Sequence, residues 1–280
     1  MKSVTTKKLL IHLFKYVFLT AFCLIILYPV LYAVLGSFKS NYEVTLGGTL
    51  WPKEWMFSNY MEAWHQFDFF RYAMNSLFLS FVTTVSSLAV CSMCGFCLSR
   101  KRFRGKALLE KTILATMFVS IGTVTLRPIY LMMVRVGMHN SLWPVVFVIL
   151  SANMGTYVFL ISKFVDTIPR ELDEAARIDG CSHLKIFWKI IAPLTLPGLI
   201  STTIYAFIQS WNEYMFTMLC ITSDKMKTLP VAIGQMASYD KIMWNDLMAA
   251  SLLSSLPVVV MFIFLQRYFI SSMTQGAVKG

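Results

Sequence analysis

The stretch DEAARIDGCSHLKIFWKIIAPLTLPG, Asp173 to Gly198, decides how the rest of the chain is read. It is amphipathic and holds most of the charge in its neighbourhood, yet long apolar runs lie on both sides, Trp143 to Ser162 before it and Pro197 to Cys220 after. Each run is close to the ~20 residues that cross a hydrocarbon core of about 30 Å as a helix. A polar segment strung between two such runs is a loop at a membrane surface, and its own chemistry becomes the question.

Working outward, further apolar blocks run from Tyr16 to Ser37, Tyr72 to Leu98, Leu108 to Met133 and Asp246 to Arg267. The chain is 57% hydrophobic and 14% charged, with a mean hydropathy of +0.63, a balance outside that of ordinary soluble domains. The expected fold is therefore all-α and polytopic, with six transmembrane helices inside residues 16–268, a tail over 1–15 and another over 269–280. The first block is too long for a signal-peptide core and no A-x-A-like site follows it, so it is expected to be a retained anchor. The net charge of +11 does not point to nucleic acid, because Lys and Arg cluster beside the apolar blocks. Those clusters orient the chain instead. Lys2, Lys7, Lys8 and Lys15, the run from Arg100 to Lys111, and the loop from Lys163 to Lys189 fall on one side, which places both termini in the cytoplasm. The opposite side is small and carries Trp51, Trp55 and Trp64, suited to a headgroup-level belt.

Catalytic chemistry finds little support. No G-x-x-x-x-G-K-[ST] occurs, and GAVKG near the C-terminus lacks its spacing and hydroxyl, so if ATP drives this protein another chain hydrolyses it. His12, His65, His139 and His183 are scattered over different elements, and neither a G-x-S-x-G elbow nor an HExxH is present. No catalytic residue, metal or cofactor is expected on this chain. Cys91, Cys94 and Cys97 form a C-x-x-C-x-x-C, but their neighbours Ser87, Ser92 and Gly95 fit close helix packing better than a ligand set with no fourth member nearby. Charged residues within spans are costly, which singles out Arg127 and Glu213. Trp211, Asn212 and Glu213 in SWNEY can line a solute pathway by stacking and hydrogen bonding, or form an interhelical polar cluster or interfacial group. Arg127, just before Pro128, can face a water-filled cavity or reach the outer headgroups.

The opening segment, extended to Lys163–Leu196, reads as two short helices. Pro169 suits a first helical position, Glu171, Asp173 and Glu174 sit at the positive N-terminal end, and Gly180 closes a helix of about three turns. Ser182 then caps a second helix whose stripe of Ile186, Phe187, Ile190 and Ile191 opposes Lys185 and Lys189 until Pro193 and Pro197 end it. Ala175 and Ala176 are expected to keep one face of the first helix low, so that a partner's backbone can approach.

Glu174-Ala175-Ala176, three residues, Gly180, nine residues and Ile190 resemble the EAA loop of ABC-importer permeases. IPRELDEAARIDG, WKIIAPLTLPG, FIQSWNEYMFTMLC and LQRYFISSMTQGAVKG are similar to the carbohydrate-importing branch, in particular the second permease of maltose-type systems. The likeness covers nearly the whole chain; Ala192 departs from the leucine usual before the proline. The resemblance implies a type I importer permease fold in a bacterial cytoplasmic membrane, partnered by a second permease, two ATPase subunits that use ATP and Mg, and an extracytoplasmic sugar-binding protein. It implies that the segment about 163–196 carries the coupling helix, with Glu174, Ala175, Ala176, Asp179, Gly180 and Pro193 as the ATPase-coupling residues. An ion-coupled secondary transporter is the first rival and would want paired intramembrane acids, for which Glu213 alone is a candidate. A membrane-embedded enzyme would need a convergent nucleophile or metal set that the sequence lacks.

Overall fold

The computed structural model describes residues 2–66, 68–118, 123–238 and 242–277, and every regular element among them is helical. In chain order these are α1 (Lys2–Gly36), α2 (Asn41–Leu46), α3 (Ser58–Gln66), α4 (Phe69–Arg100), α5 (Lys106–Phe118), α6 (Thr123–Arg135) and α7 (Trp143–Asp166). There follow α8 (Glu171–Ile178), α9 (His183–Ile186), a π-helical turn (Phe187–Ile191), α10 (Ala192–Leu194), α11 (Leu196–Trp211), α12 (Met215–Cys220), a 3-10 turn (Asp224–Met226), α13 (Leu229–Met236) and α14 (Trp244–Ala277).

Four stretches are single helices long and apolar enough to cross a bilayer: His12–Gly36, Phe69–Arg100, Trp143–Asp166 and Trp244–Arg267. They match four of the six expected blocks. Within the block expected over Leu108–Met133 the described residues form α5 and α6, of 13 residues each, on either side of residues 119–122, which lie outside the described set. The block expected over Pro197–Cys220 is the 16-residue α11 followed, after a break at 212–214, by the six-residue α12. Helix also runs into both expected tails, since α1 starts at Lys2 and α14 continues to Ala277.

The chain divides into two compact units, Met1–Phe69 with Ile233–Ser254, and Phe70–Ala232 with Ser255–Gly280. In the first, α1 presents Phe14, Phe18, Ile25 and Val30 to the outside, as a helix apolar all round must when it meets lipid. Beyond it, buried Asn59 donates through Nδ2 to the carbonyls of Ser37 and Lys39, both at 2.8 Å, which pins α3 to the chain leaving α1. The Lys39 ammonium, also buried, donates to Thr49 O at 2.5 Å and sits 3.8 Å from Glu43. A hydroxyl bond from Thr49, 2.6 Å, holds the Glu43 carboxyl below its ordinary range. Phe38 packs on Trp55, Phe57 and Tyr60, while Trp51, Trp55 and Trp64 all stay exposed.

In the second unit α7 is the spine. Its first half buries Val145 and Ile149 with Leu79 and Phe216; its second half buries Tyr157, Ile161 and Val165 with Phe96, Ile186 and Ile191. At Gly95 of α4 an added Cβ would lie 3.0 Å from Ile161 and 3.1 Å from the Ser162 backbone, so glycine is what lets α4 and α7 approach. Cys91 is buried in the same core, Cys94 half-buried and Cys97 exposed, all as free thiols. Steps of three residues turn the sulfurs progressively out of the core, which is the packing arrangement and gathers no ligand set.

Candidate functional site

The segment from Asp173 folds almost as its caps dictate. The N–H groups of Asp173 and Glu174 donate to Arg170 O at 3.0 and 3.1 Å, and the acids expected at the positive end occupy the first turn of α8. Pro169 precedes the helix instead of opening it, and α8 has eight residues, two turns and not three. The closure lies at Gly180 as expected: Cys181 N–H donates to Ala176 O at 2.9 Å and Gly180 N–H to Arg177 O at 3.0 Å, the paired bonds of a Schellman motif. Gly180 takes the required left-handed conformation at φ +74°.

Ser182 caps α9 as expected, accepting from Lys185 N–H at 3.4 Å. Pro193 does not end this helix. Proline has no N–H for a bond to the carbonyl four residues back and its ring crowds that carbonyl. The ladder has already widened, with Ala192 N–H donating to Phe187 O five residues back, and the π-helical turn carries the chain past the proline. The break falls at Thr195, whose hydroxyl donates to Ile191 O at 2.8 Å, and there the axis turns by 80° into α11.

The two faces of this segment differ sharply. Inward, Ala176, Ile186, Phe187 and Ile191 enter the core around α7, with Lys185 and Lys189 outside as the amphipathic stripe requires. The alanines do not share a low outer face: Ala176 is buried and only Ala175 is exposed. A polar clamp unforeseen in the sequence fixes the inner face. Asp173 Oδ2 forms an ion pair with Arg100 Nε at 2.8 Å, with both side chains more than nine-tenths buried, and Arg100 Nη2 donates to Ile168 O at 2.8 Å. Arg170 adds a 3.3 Å bond to Ser99 O. The last turn of α4 is thereby fastened to α8. Its signals were present, a basic residue ending an apolar span and an acid three positions before Ala176, but pairing 73 residues apart has no local signature. Outward, Ile178 is 88% exposed, Trp188 64% and Leu184 60%, beside exposed Glu174. Glu174 makes no side-chain hydrogen bond or ion pair with any described residue. Bulky apolar side chains raised on an anchored element are the anatomy of a docking surface.

Trp211, Asn212 and Glu213 lie at the far end of α11, about 24 Å from Thr195 by helix length. They do not join the coupling candidates. Trp211 is 2% exposed and stacks on Phe207, with ring centroids 5.6 Å apart. Glu213 caps α12: its carboxylate accepts from the N–H groups of Phe216 and Thr217, each at 2.9 Å, and from the Thr217 hydroxyl. Asn212 is exposed at the end of α11, and Arg127 is exposed on α6.

Residues 10–275 match the model of the "Binding-protein-dependent transport system inner membrane component" family. The chain belongs to that family. It is accordingly a multi-pass inner-membrane permease component with a type I permease fold. The permease YcjP of Escherichia coli K12, named an inner membrane ABC transporter permease protein, is 32% identical over 99% of both chains. The trehalose/maltose transport system permease protein MalG of Thermococcus litoralis is 30% identical over 92% of this chain and 93% of its own. A chain from a bacterial ABC transporter involved in import of the acidic polysaccharide alginate superposes with a TM-score of 0.81, covering 93% of this chain and 96% of that one at 26% identity.

Proposed function

We propose that this permease forms the carbohydrate pathway of an ATP-driven bacterial importer together with a second permease, and that its α8–α10 segment couples that pathway to two ATPase subunits. Carbohydrate is the cargo because the relatives of trehalose/maltose and alginate systems match over nearly the full length. An extracytoplasmic sugar-binding protein delivers it, a reading supported by the family's description as binding-protein-dependent. Six spans follow when α5 with α6 and α11 with α12 each make one crossing of the bilayer, and both termini then lie in the cytoplasm with α8. ATP and Mg belong to the partner subunits.

The observation that carries the coupling role is the clamp of Arg100 on Asp173 behind a face that exposes Ile178 and Trp188. A knob fastened to α4 and α7 moves only when they move. Closure of an ATPase dimer gripping that knob would shift the outward and inward populations by differential contact. Within the pathway, Asn212 offers the free polar group, while Trp211 and Glu213 support the turn behind it. Glu213, the acid the sequence offered to an ion-coupled mechanism, is taken up by the capping of α12.

The test is uptake of labelled oligosaccharide in cells carrying Gly180→Pro. Proline cannot adopt the positive φ of the Schellman turn, so coupling is expected to be lost while the protein still inserts in the membrane. Normal uptake by this variant would sink the role of α8.

A further inference from the structure

Beside the clamp, the adjacent ends of α4, α5 and α7 enclose a cavity of about 240 Å³ that neither the docking face nor the α11–α12 turn uses. Ile113, Leu114 and Phe159 give it an apolar lining, and Lys106, Lys163 and Arg170 a cationic one. Leu114 and Phe159 are each 38% exposed, so the apolar lining continues onto the outer surface of the helices. Two carboxylates share the cavity. Glu110 lies 3.6 Å from Lys106, and Asp166 lies 3.7 Å from Lys163 while accepting the Ser99 hydroxyl at 2.6 Å. Both ion pairs are longer than the roughly 2.7–2.9 Å of a charge-assisted hydrogen bond, which leaves the ammonium protons available to a stronger acceptor. Arg170 spends only Nη2, on Ser99 O. The surroundings add positive charge, since residues 100–111 hold six Lys and Arg against Glu110 alone, and only Arg100 is consumed by the clamp.

Lysines and an arginine beside a partly exposed apolar lining select an amphipathic anion. A neutral sugar would want flat aromatic faces flanked by uncharged hydrogen-bonding groups, whereas lysines and arginine at the end of spanning helices suit a phosphate ester that carries acyl chains. We propose that this cavity binds the headgroup of one anionic phospholipid of the cytoplasmic leaflet, with its chains along Leu114 and Phe159. The inference rests on the orientation proposed above. It places a lipid against Ser99 and Arg170, at the base of the coupling segment.

The importer, purified with its partners and delipidated in mild detergent, is titrated with phosphatidylglycerol or phosphatidylethanolamine, and bound lipid is counted by native mass spectrometry. One phosphatidylglycerol is expected to bind the natural protein and to bind about thirtyfold more weakly to Lys106→Gln/Lys163→Gln, from the loss of two cations at a lipid surface. Lys7→Gln/Lys8→Gln, the same charge change elsewhere on the chain, is expected to leave it in place. Equal phosphatidylglycerol affinity in the Lys106/Lys163 variant overturns the site. So does equal retention of phosphatidylethanolamine, or displacement of the lipid by millimolar glycerophosphate, which marks a soluble-anion site. Orientation is read separately with Lys163→Cys and a membrane-impermeant maleimide. Labelling only in opened cells keeps the cytoplasmic leaflet; labelling of intact cells overturns the leaflet even where phosphatidylglycerol binding stands.

Discussion

Glu174 and Glu213 stand near opposite ends of the α8–α12 region, and the fold treats them in opposite ways. The Glu213 carboxylate is spent within its own turn on two N–H groups and a hydroxyl, and α12 has no further use for it. Glu174 is exposed, on a helix whose neighbouring acid, Asp173, takes all the inward work by binding Arg100. A carboxylate satisfied locally builds structure; one left outward beside Ile178 is available to another chain. The same residue type thus serves two ends, decided by which donors the chain brings within reach.

The largest expected effect tests whether α8 is anchored more firmly than α12. Arg100→Ala strands a buried carboxylate and is expected to cost about 3–5 kcal/mol, read as a lower melting temperature of the purified importer. Arg100→Met with Asp173→Leu is expected to regain most of that loss, since an apolar pair removes both charges together. A melting temperature unmoved in Arg100→Ala would erase the contrast. Next in size, Ile178→Asp is expected to weaken association with the ATPase subunits by about 2 kcal/mol or more, roughly thirtyfold, in a titration of those subunits against the permease pair. Unchanged affinity would show that the exposed face of α8 meets no partner. Gly180→Ala comes third. Nothing lies within 4 Å of the added methyl, so only the left-handed backbone resists it, by about 1–2 kcal/mol in thermal stability. The smallest effect belongs to Glu213→Gln, which keeps the shape but weakens the cap of α12 by about 1 kcal/mol. Its KM for sugar is expected to stay within twofold; a large rise in KM at unchanged stability would move Glu213 from the structural side of the comparison to the pathway.

Much of this was legible locally. Gly180 as a left-handed closure, Ser182 as a cap and the Ile186–Phe187–Ile191 stripe all follow from interactions between residues at most a few positions apart. α8 is shorter than a start at Pro169 predicts, because the first donors reach back only to Arg170. The passage of Pro193 was misjudged for a related reason. A proline ends a helix when the ladder before it is regular, and here a π-helical turn makes room, supported by burial of Phe187 and Ile191 in a core that local spacing does not reveal.

By itself the sequence determined the helical class, the apolar blocks and the amphipathic segment after α7, because hydrophobic periodicity and end-capping act over one or two turns. Only the tertiary structure decided that Asp173 faces in to Arg100 while Glu174 faces out, that Ala176 is core and Ala175 surface, and that Glu213 is a cap. Those outcomes turn on partners up to 73 residues away or on the exact turn at which a helix breaks, and a buried charge is tolerable only where the distant partner arrives.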